Sequence, residues 1–237
     1  MTNNPMFSIV LCTFNNAEYI RTAINSVLQQ TCNDWELIII DDGSIDNTSE
    51  VLASFCSYST INIVLKKVNE GKASCLNSAL RIVKGRWLIE LDADDWFHKT
   101  CLEKVKAKLA VISEEVDLIF GTYMEWKERS RDKKLFKGSI QRYVWRDSLN
   151  YLLNPVPLAP RIYNIQSLHE VNGWNTEDMY KGRLYEDVYM IYQLGKRKKI
   201  ASLNDVIYHR RLRNNSVSKL TSRHYEDWKE WLVSQED

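Results

Sequence analysis

An open, mostly parallel α/β sheet with helices on both faces is the architecture expected here, and three observations point to it. Short, nearly continuous apolar runs alternate with amphipathic stretches through residues 7–120. Two of those runs end in acidic clusters, Asp41-Asp42 and Asp92-Ala93-Asp94-Asp95. With 44% apolar residues, a chain of 237 can fill one full-sized core. A strand covered on both faces reads as a continuous apolar run because neither side meets water. Open sheets of this kind bind ligands at the C-terminal ends of their strands, so acidic groups distant in sequence can meet in one crevice.

Each element has its own pattern. Phe7 to Cys12 is the first strand, and Ala17 to Gln29 is a helix with Ile20, Ile24, Val27 and Leu28 on one side. Trp35 to Ile40 is the second strand, stopped by the turn formers Asp41-Asp42-Gly43-Ser44. Asp46 is placed to cap the helix carrying Val51, Leu52 and Phe55. A strand at Ile61 to Leu65, a helix over 72–83 and a strand at Arg86 to Leu91 come next. The last of these runs straight into the second acidic cluster, where Asp95 is expected to cap the next helix. A helix over Cys101 to Ile112 and a strand at Val116 to Phe120 complete the first half. The charged stretch Glu125 to Lys137 suits a hairpin or an excursion on the sheet edge, and Pro155, Pro157 and Pro160 interrupt any helix there. Gly173-Trp174 marks a turn, Tyr185 to Leu194 returns to helical spacing, Ile200 to Leu203 is a late strand, and Tyr225 to Val233 packs back as a helix.

Composition narrows the function classes. Lys and Arg number 32 against 31 Asp and Glu, which gives no general reason to expect nucleic-acid binding. Basic residues do cluster at Lys196-Arg197-Lys198-Lys199 and at Arg210, Arg211 and Arg213, where a solvated face and an anion contact are both open readings. The five cysteines (12, 32, 56, 75 and 101) form no CxxC pair and suit buried thiols better than a disulfide frame or a zinc site. With no secretory pattern and no apolar run of membrane-spanning length, the expectation is a cytoplasmic protein. Peripheral contact with the inner face of a membrane is compatible with that.

The candidate site residues are drawn from strand-end chemistry. Alternate residues on an extended chain point the same way, which aims Asp92 and Asp94 at one divalent ion able to offset diphosphate charge. Asp41 and Asp42 are expected to contact a base N–H or to shape the turn. In Asn69-Glu70-Gly71-Lys72, Gly71 permits close backbone approach and Lys72 offers a positive head. This is not a Walker A loop, and Thr13-Phe14-Asn15-Asn16 lacks the glycine fingerprint of a nicotinamide dehydrogenase. Asp187, with Glu186 second, is the candidate base at the start of a helix, and Glu177-Asp178 is a look-alike set in a loop. His209 is a candidate third metal ligand or diphosphate contact, while His98, His169 and His224 read as structural or solvent-facing. Trp174 serves either an acceptor-pocket wall or core packing.

In order, FSIVLCTFNN at 7–16, IIIDDGSIDNT at 38–48, NEGKASCLNSAL at 69–80, WLIELDADDW at 87–96, EVNGW at 170–174 and LYEDVYM at 184–190 resemble glycosyltransferase family 2, of the nucleotide-sugar transferase fold called GT-A. The resemblance covers roughly residues 6–210. It implies that Thr13, Asn15, Asp42 and Lys72 line the nucleotide site, and the candidate set there also takes in Glu18, Asp41, Asn69, Gly71 and Asp92. It further implies Asp92 and Asp94 as metal ligands for Mn2+ or Mg2+, Asp187 as base beside Glu186, inversion at the anomeric centre, and a UDP-linked donor ahead of GDP or dTDP. The acceptor is a hydroxyl of a glycan, glycolipid or other molecule. Leu76, not arginine, precedes Asn77, so a phosphate or base contact is expected to be lost or supplied by Lys72; no QxxRW-like motif or membrane helix is present, which favours single addition over processive synthesis. The expected division is a catalytic domain over 1–210, with a nucleotide and metal half at 1–120 and an acceptor half at 121–210, then a tail over 211–237 carrying a packed helix. The competing readings are a sugar nucleotidyltransferase and a non-catalytic nucleotide- or sugar-binding protein.

Overall fold

The computed structural model describes residues 4–112, 116–197, 199–213 and 222–235. Its first half is the expected succession. Strands β1 (Phe7–Thr13), β2 (Trp35–Asp41), β3 (Ile61–Leu65) and β4 (Trp87–Glu90) alternate with helices α1 (Ile20–Leu28), α2 (Thr48–Ala53) and α3 (Lys72–Leu80). These strands are all parallel, in the order β3-β2-β1-β4. Residues alternate between faces along β1. Phe7, Ile9 and Leu11 join the core under α1 and α2, while Val10 joins a second core with Ala73, Leu76 and Leu80 of α3. Both faces of the strand are covered, which is why it carries apolar residues on both sides.

The second half mixes strand directions. A short strand β5 (Trp96–Phe97) comes after the second acidic cluster, and α4 (Cys101–Leu109) comes after β5. Asp95 therefore lies too early to cap α4, whose N-cap is Thr100. The long strand β6 (Val116–Glu128) turns back into β7 (Leu135–Gln141), so the charged stretch forms an antiparallel hairpin. Helix α5 (Ser148–Leu153), strand β8 (Arg161–Asn164), helix α6 (Ile165–Glu170), helix α7 (Glu186–Arg197) and strand β9 (Lys199–Leu212) complete the sheet and its cover. β8 inserts antiparallel between β4 and β6, and β9 pairs with β6 in parallel and with β5 antiparallel. β9 runs on to Leu212, far beyond the short strand at 200–203 that the sequence predicts.

The last helix, α8 (Tyr225–Ser234), docks on the α3–α7 face. Trp228 is fully buried there, with Leu232 and Tyr225 beside it. Aromatic burial on this scale anchors a terminal segment, and truncating such a side chain costs about 3–5 kcal/mol. Of the cysteines, all free, Cys75 and Cys101 are buried, Cys12 and Cys32 are half-buried and Cys56 is exposed. No helix among the described residues is long and apolar enough to cross a membrane.

Candidate active site

The crevice opens where β1, β2 and β4 end. Asp41 and Asp42 are both buried here. Asp41 Oδ1 accepts from the backbone N–H and the hydroxyl of Ser44, at 3.1 and 2.5 Å. The two oxygens of Asp42 accept the backbone N–H groups of Glu70 and Gly71, at 3.0 and 2.7 Å. Asn15, at φ 53°, accepts from the N–H groups of Ile45 and Asp46 at 2.9 and 3.4 Å. These three side chains build the walls of the crevice. Thr13 ends β1 beside them, and its Oγ1 is buried without a hydrogen-bond partner among the described residues. A buried orphan hydroxyl is uncommon, and a ligand in the crevice would satisfy it. Glu18 pairs with Lys133 of the hairpin, at 3.0 Å.

The 69–72 loop bends sharply at Gly71 (φ 96°), where a Cβ would stand 2.7 Å from Arg183 Cγ. Arg183 in turn grips Asn69 through its side-chain oxygen and, at 2.7 Å, its carbonyl. The turn delivers Lys72 to the first position of α3, pointing into the crevice. Its ammonium lies 2.6 Å from Asp92, 3.5 Å from Glu90 and 3.6 Å from Glu186. Burial works against the charge on Lys72, but these carboxylates raise its pKa well above the ordinary lysine value. Burial likewise opposes ionisation of Asp92, yet Lys72 and Arg161 hold its carboxyl well below the usual range.

Asp94 is paired with Arg213 at 2.5 Å. Burial raises the Asp94 pKa, with Arg213 pulling the other way. The loop is laced down by β9. The Tyr208 hydroxyl donates to Asp95 at 2.8 Å and accepts the Asp92 N–H at 3.2 Å. Arg211 donates its backbone N–H to Asp95 at 2.7 Å and its Nε–H to the Asp94 carbonyl at 2.9 Å. Arg211 and Arg213 thus fold onto the acidic loop. In the other basic cluster, Arg197 meets Glu170 at 3.2 Å, Lys196 lies over Tyr192, and Lys198 is outside the described residues.

On the far wall, α7 begins with Glu186 and Asp187. Burial pushes Glu186 up to about 7 against the pull of Lys72. Asp187 Oδ2 lies 3.4 Å from Arg161, and its Oδ1 accepts the Val188 N–H at 2.9 Å. Arg161 is buried and forks onto Glu90 at 3.2 and 2.8 Å. A buried charge is tolerated only when paired and hydrogen-bonded, and Glu90 supplies that pairing. Glu90, Arg161 and Tyr208 are absent from the sequence-derived candidates, while Arg213 stands there as an open choice between anion contact and solvated face. The signal for the first two is present: a carboxylate inside the apolar run RWLIEL and a guanidinium inside PRIYN.

His209 is not brought to Asp92 and Asp94. It sits one residue along β9 from Tyr208, and adjacent strand residues face opposite sides. Its ring stacks on Trp96 at 5.3 Å, and its Nδ1 accepts the Trp126 indole N–H at 3.1 Å. Burial and His98 depress it to about 4, so it is neutral at physiological pH. No group of three or more His, Cys, Asp or Glu among the described residues is arranged to hold a metal. Asp92 and Asp94 offer two carboxylates of the hard-oxygen kind that Mg2+ and Mn2+ take, a set completed in such sites by substrate phosphate and water. The donor chemistry therefore fits, with Lys72 and Arg213 now sharing those oxygens.

Asp178 is buried in its loop, accepting from the Tyr180 and Gly182 N–H groups at 2.8 and 3.0 Å, and so serves structure. Trp174 is core, edge-on to Tyr163 at 5.6 Å. The Asn77 amide clasps the Trp174 backbone, meeting its N–H at 2.9 Å and its carbonyl at 2.8 Å. His98 bonds Thr100, His224 bonds Arg223 and His169 is exposed.

Known proteins share this fold. The chain is 23% identical to the glycosyltransferase GlyA of Streptococcus pneumoniae, an alignment covering 98% of this chain but 34% of that protein. It superposes on S. aureus TarS 1-349 in complex with UDP with a TM-score of 0.66 and 18% identity, covering 87% of this chain and 60% of the other. On the mannosyltransferase PcManGT from Pyrobaculum calidifontis, in complex with GDP-Man and Mn2+, the TM-score is 0.68 at 18% identity, covering 100% and 66%. Residues 8–170 match Glycosyl transferase family 2. This chain, with its GT-A fold, belongs to that glycosyltransferase family.

Proposed function

We propose that this chain moves a glycosyl unit from a nucleotide-diphosphate sugar to an acceptor hydroxyl in a single addition with inversion. The observation that carries the reading is the meeting of Asp92, Lys72 and Glu186 in one crevice, with Asp187 set beside it by Arg161. Asp187 takes the proton of the acceptor hydroxyl as that oxygen attacks the anomeric carbon. The bond from that carbon to the diphosphate oxygen breaks, and the nucleotide diphosphate leaves with the electron pair. Arg161, saturated by Glu90, holds Asp187 in place. Lys72 and Arg213 bring positive charge to the leaving-group side. Asp92 and Asp94 would hold Mn2+ or Mg2+, which when bound offsets the charge of the departing diphosphate. His209, in its aromatic pocket, has no part in this reading.

A UDP-linked donor is the first to test. The likeness to TarS with UDP and to PcManGT with GDP-Man supports a nucleotide-sugar site without choosing between carriers. The acceptor is a hydroxyl on a glycan or glycolipid, reached in the cytoplasm or at the inner face of a membrane. The experiment is calorimetric titration of UDP, GDP and dTDP with and without Mn2+, repeated on Asp94→Ala. Mn2+-dependent binding of one nucleotide, abolished in the variant, is the expected result. A folded protein that binds none of the three under either condition overturns the assignment.

A further inference from the structure

The segment after the hairpin and helix α5 line an open hollow of about 470 Å3. Its polar lining is Arg142, Arg146, Asn150 and Asn154, with Tyr143 and Val156 as apolar wall, and no carboxylate lines it. The nearby Asp147 is turned to the helix, capping α5 through the Asn150 N–H at 2.7 Å. A second hollow of about 220 Å3 shares Arg142, Tyr143 and Val156 and is lined also by Leu158, Arg210 and the carboxylate Glu125. Leu158 links this hollow to the catalytic wall, because its carbonyl accepts from the same Arg161 Nη1 that reaches Asp187. Arg210 lies 3.9 Å from Glu125 and also bonds Tyr123. The hollow with two guanidinium groups and two amides thus shares a wall with the one that Leu158 lines.

Guanidinium pairs recognise phosphate oxygens through paired N–H donors, and a lining without carboxylates repels neutralising cations rather than anions. Resting on the glycosyl-transfer reading for its role, we infer that this hollow binds a phosphate ester on the acceptor, held by Arg142 and Arg146 while the acceptor hydroxyl lies at Asp187. The phosphate belongs either to a soluble phosphorylated glycan or polyol or to a lipid headgroup, since the chemistry is shared.

The test fills the nucleotide site first. In saturating UDP and Mn2+, glycerol 3-phosphate and glycerol are titrated against the wild type and against Arg142→Gln/Arg146→Gln, and sedimentation with phosphatidylglycerol or phosphatidylcholine vesicles is run in parallel. The wild type binds glycerol 3-phosphate and not glycerol, and the double variant loses at least ~10-fold in affinity, about 1.4 kcal/mol, with UDP binding unchanged. Arginine-dependent binding of the soluble ester assigns the phosphate to the acceptor body. Arginine-dependent retention only on phosphatidylglycerol vesicles assigns it to a headgroup. Binding equal in wild type and variant, or no binding of either probe, overturns the inference. Failure of UDP itself to bind, with glycerol 3-phosphate still captured by the two arginines, would instead remove the donor reading and leave the anion site standing.

Discussion

Two acidic pairs end the strands on either side of β1, and they are engaged in opposite ways. The oxygens of Asp42 accept backbone N–H groups of the 70–71 loop, and Asp41 is held by Ser44. Asp92 and Asp94 are held by side-chain cations, Lys72 and Arg213. A backbone donor cannot leave without remodelling the chain. A lysine or arginine on a flexible stem can swing aside or share its oxygen with an incoming ion. Nearly identical spelling thus yields one pair that builds the crevice and one that can exchange ligands, and the difference lies in the partners.

The largest effect expected separates both pairs from the chemistry. Asp187→Asn keeps the shape but cannot take a proton, so transfer falls by about 10²–10⁴-fold while nucleotide affinity stays within roughly threefold. Initial rates set against calorimetry decide it, and near-normal transfer by the variant removes Asp187 from the base role. Next comes the exchangeable pair. Asp94→Asn is expected to lower transfer by about 10²–10³-fold, the scale for removing one preorganised electrostatic group. Its melting temperature should move little, since burial already opposes the Asp94 charge and offsets the pull of Arg213, and a pair partly open to water contributes about 0–1 kcal/mol. A variant that loses stability and keeps activity would make Asp94 a structural residue like Asp42.

The converse holds for the fixed pair. Asp42→Asn turns one acceptor into an N–H donor aimed at a backbone N–H. The stranded group costs about 1–3 kcal/mol of stability, read as a lower urea midpoint with an unchanged slope. Loss of donor binding without that stability cost would place Asp42 among the ligand contacts instead.

The same contrast explains what is legible in the sequence. β1 to β4 are legible because each strand is local and apolar and the first three are each followed by a helix of their own; the acidic strand ends come with that order. The partners of the acidic groups are not. Glu90 and Arg161 lie 71 positions apart and meet only because β8 inserts antiparallel beside β4, a pairing no local pattern specifies. Arg213 reaches Asp94 because β9 runs on to Leu212, and its polar, charged second half hides that length. Asp95 reads as a helix cap, but the two-residue strand β5 separates it from α4, and Tyr208 and Arg211 claim it instead. His209 reads as a metal ligand from its place beside the basic cluster, yet strand alternation turns it to the opposite face from Tyr208.

Glu186 gives the smallest effect and the sharpest sign. Its ordinary value is 4.5, and burial lifts it to about 7 in the folded chain. Below about 4.5 both folded and unfolded forms carry the proton. Between 4.5 and about 7 the folded form keeps a proton that the unfolded chain has released, so this group's contribution to stability declines as pH rises through that window. Glu186→Gln is neutral throughout and lacks that decline. Urea midpoints at pH 5, 6, 7 and 8 should therefore show the variant gaining on the wild type across the lower part of the range and levelling off above about 7. A difference that stays constant with pH would mean that Lys72, at 3.6 Å, already keeps Glu186 ionised in the folded protein. Glu186 would then join Asp92 as a second permanent counter-charge to Lys72, and the crevice would carry one more negative charge for a metal or a cationic side chain to balance.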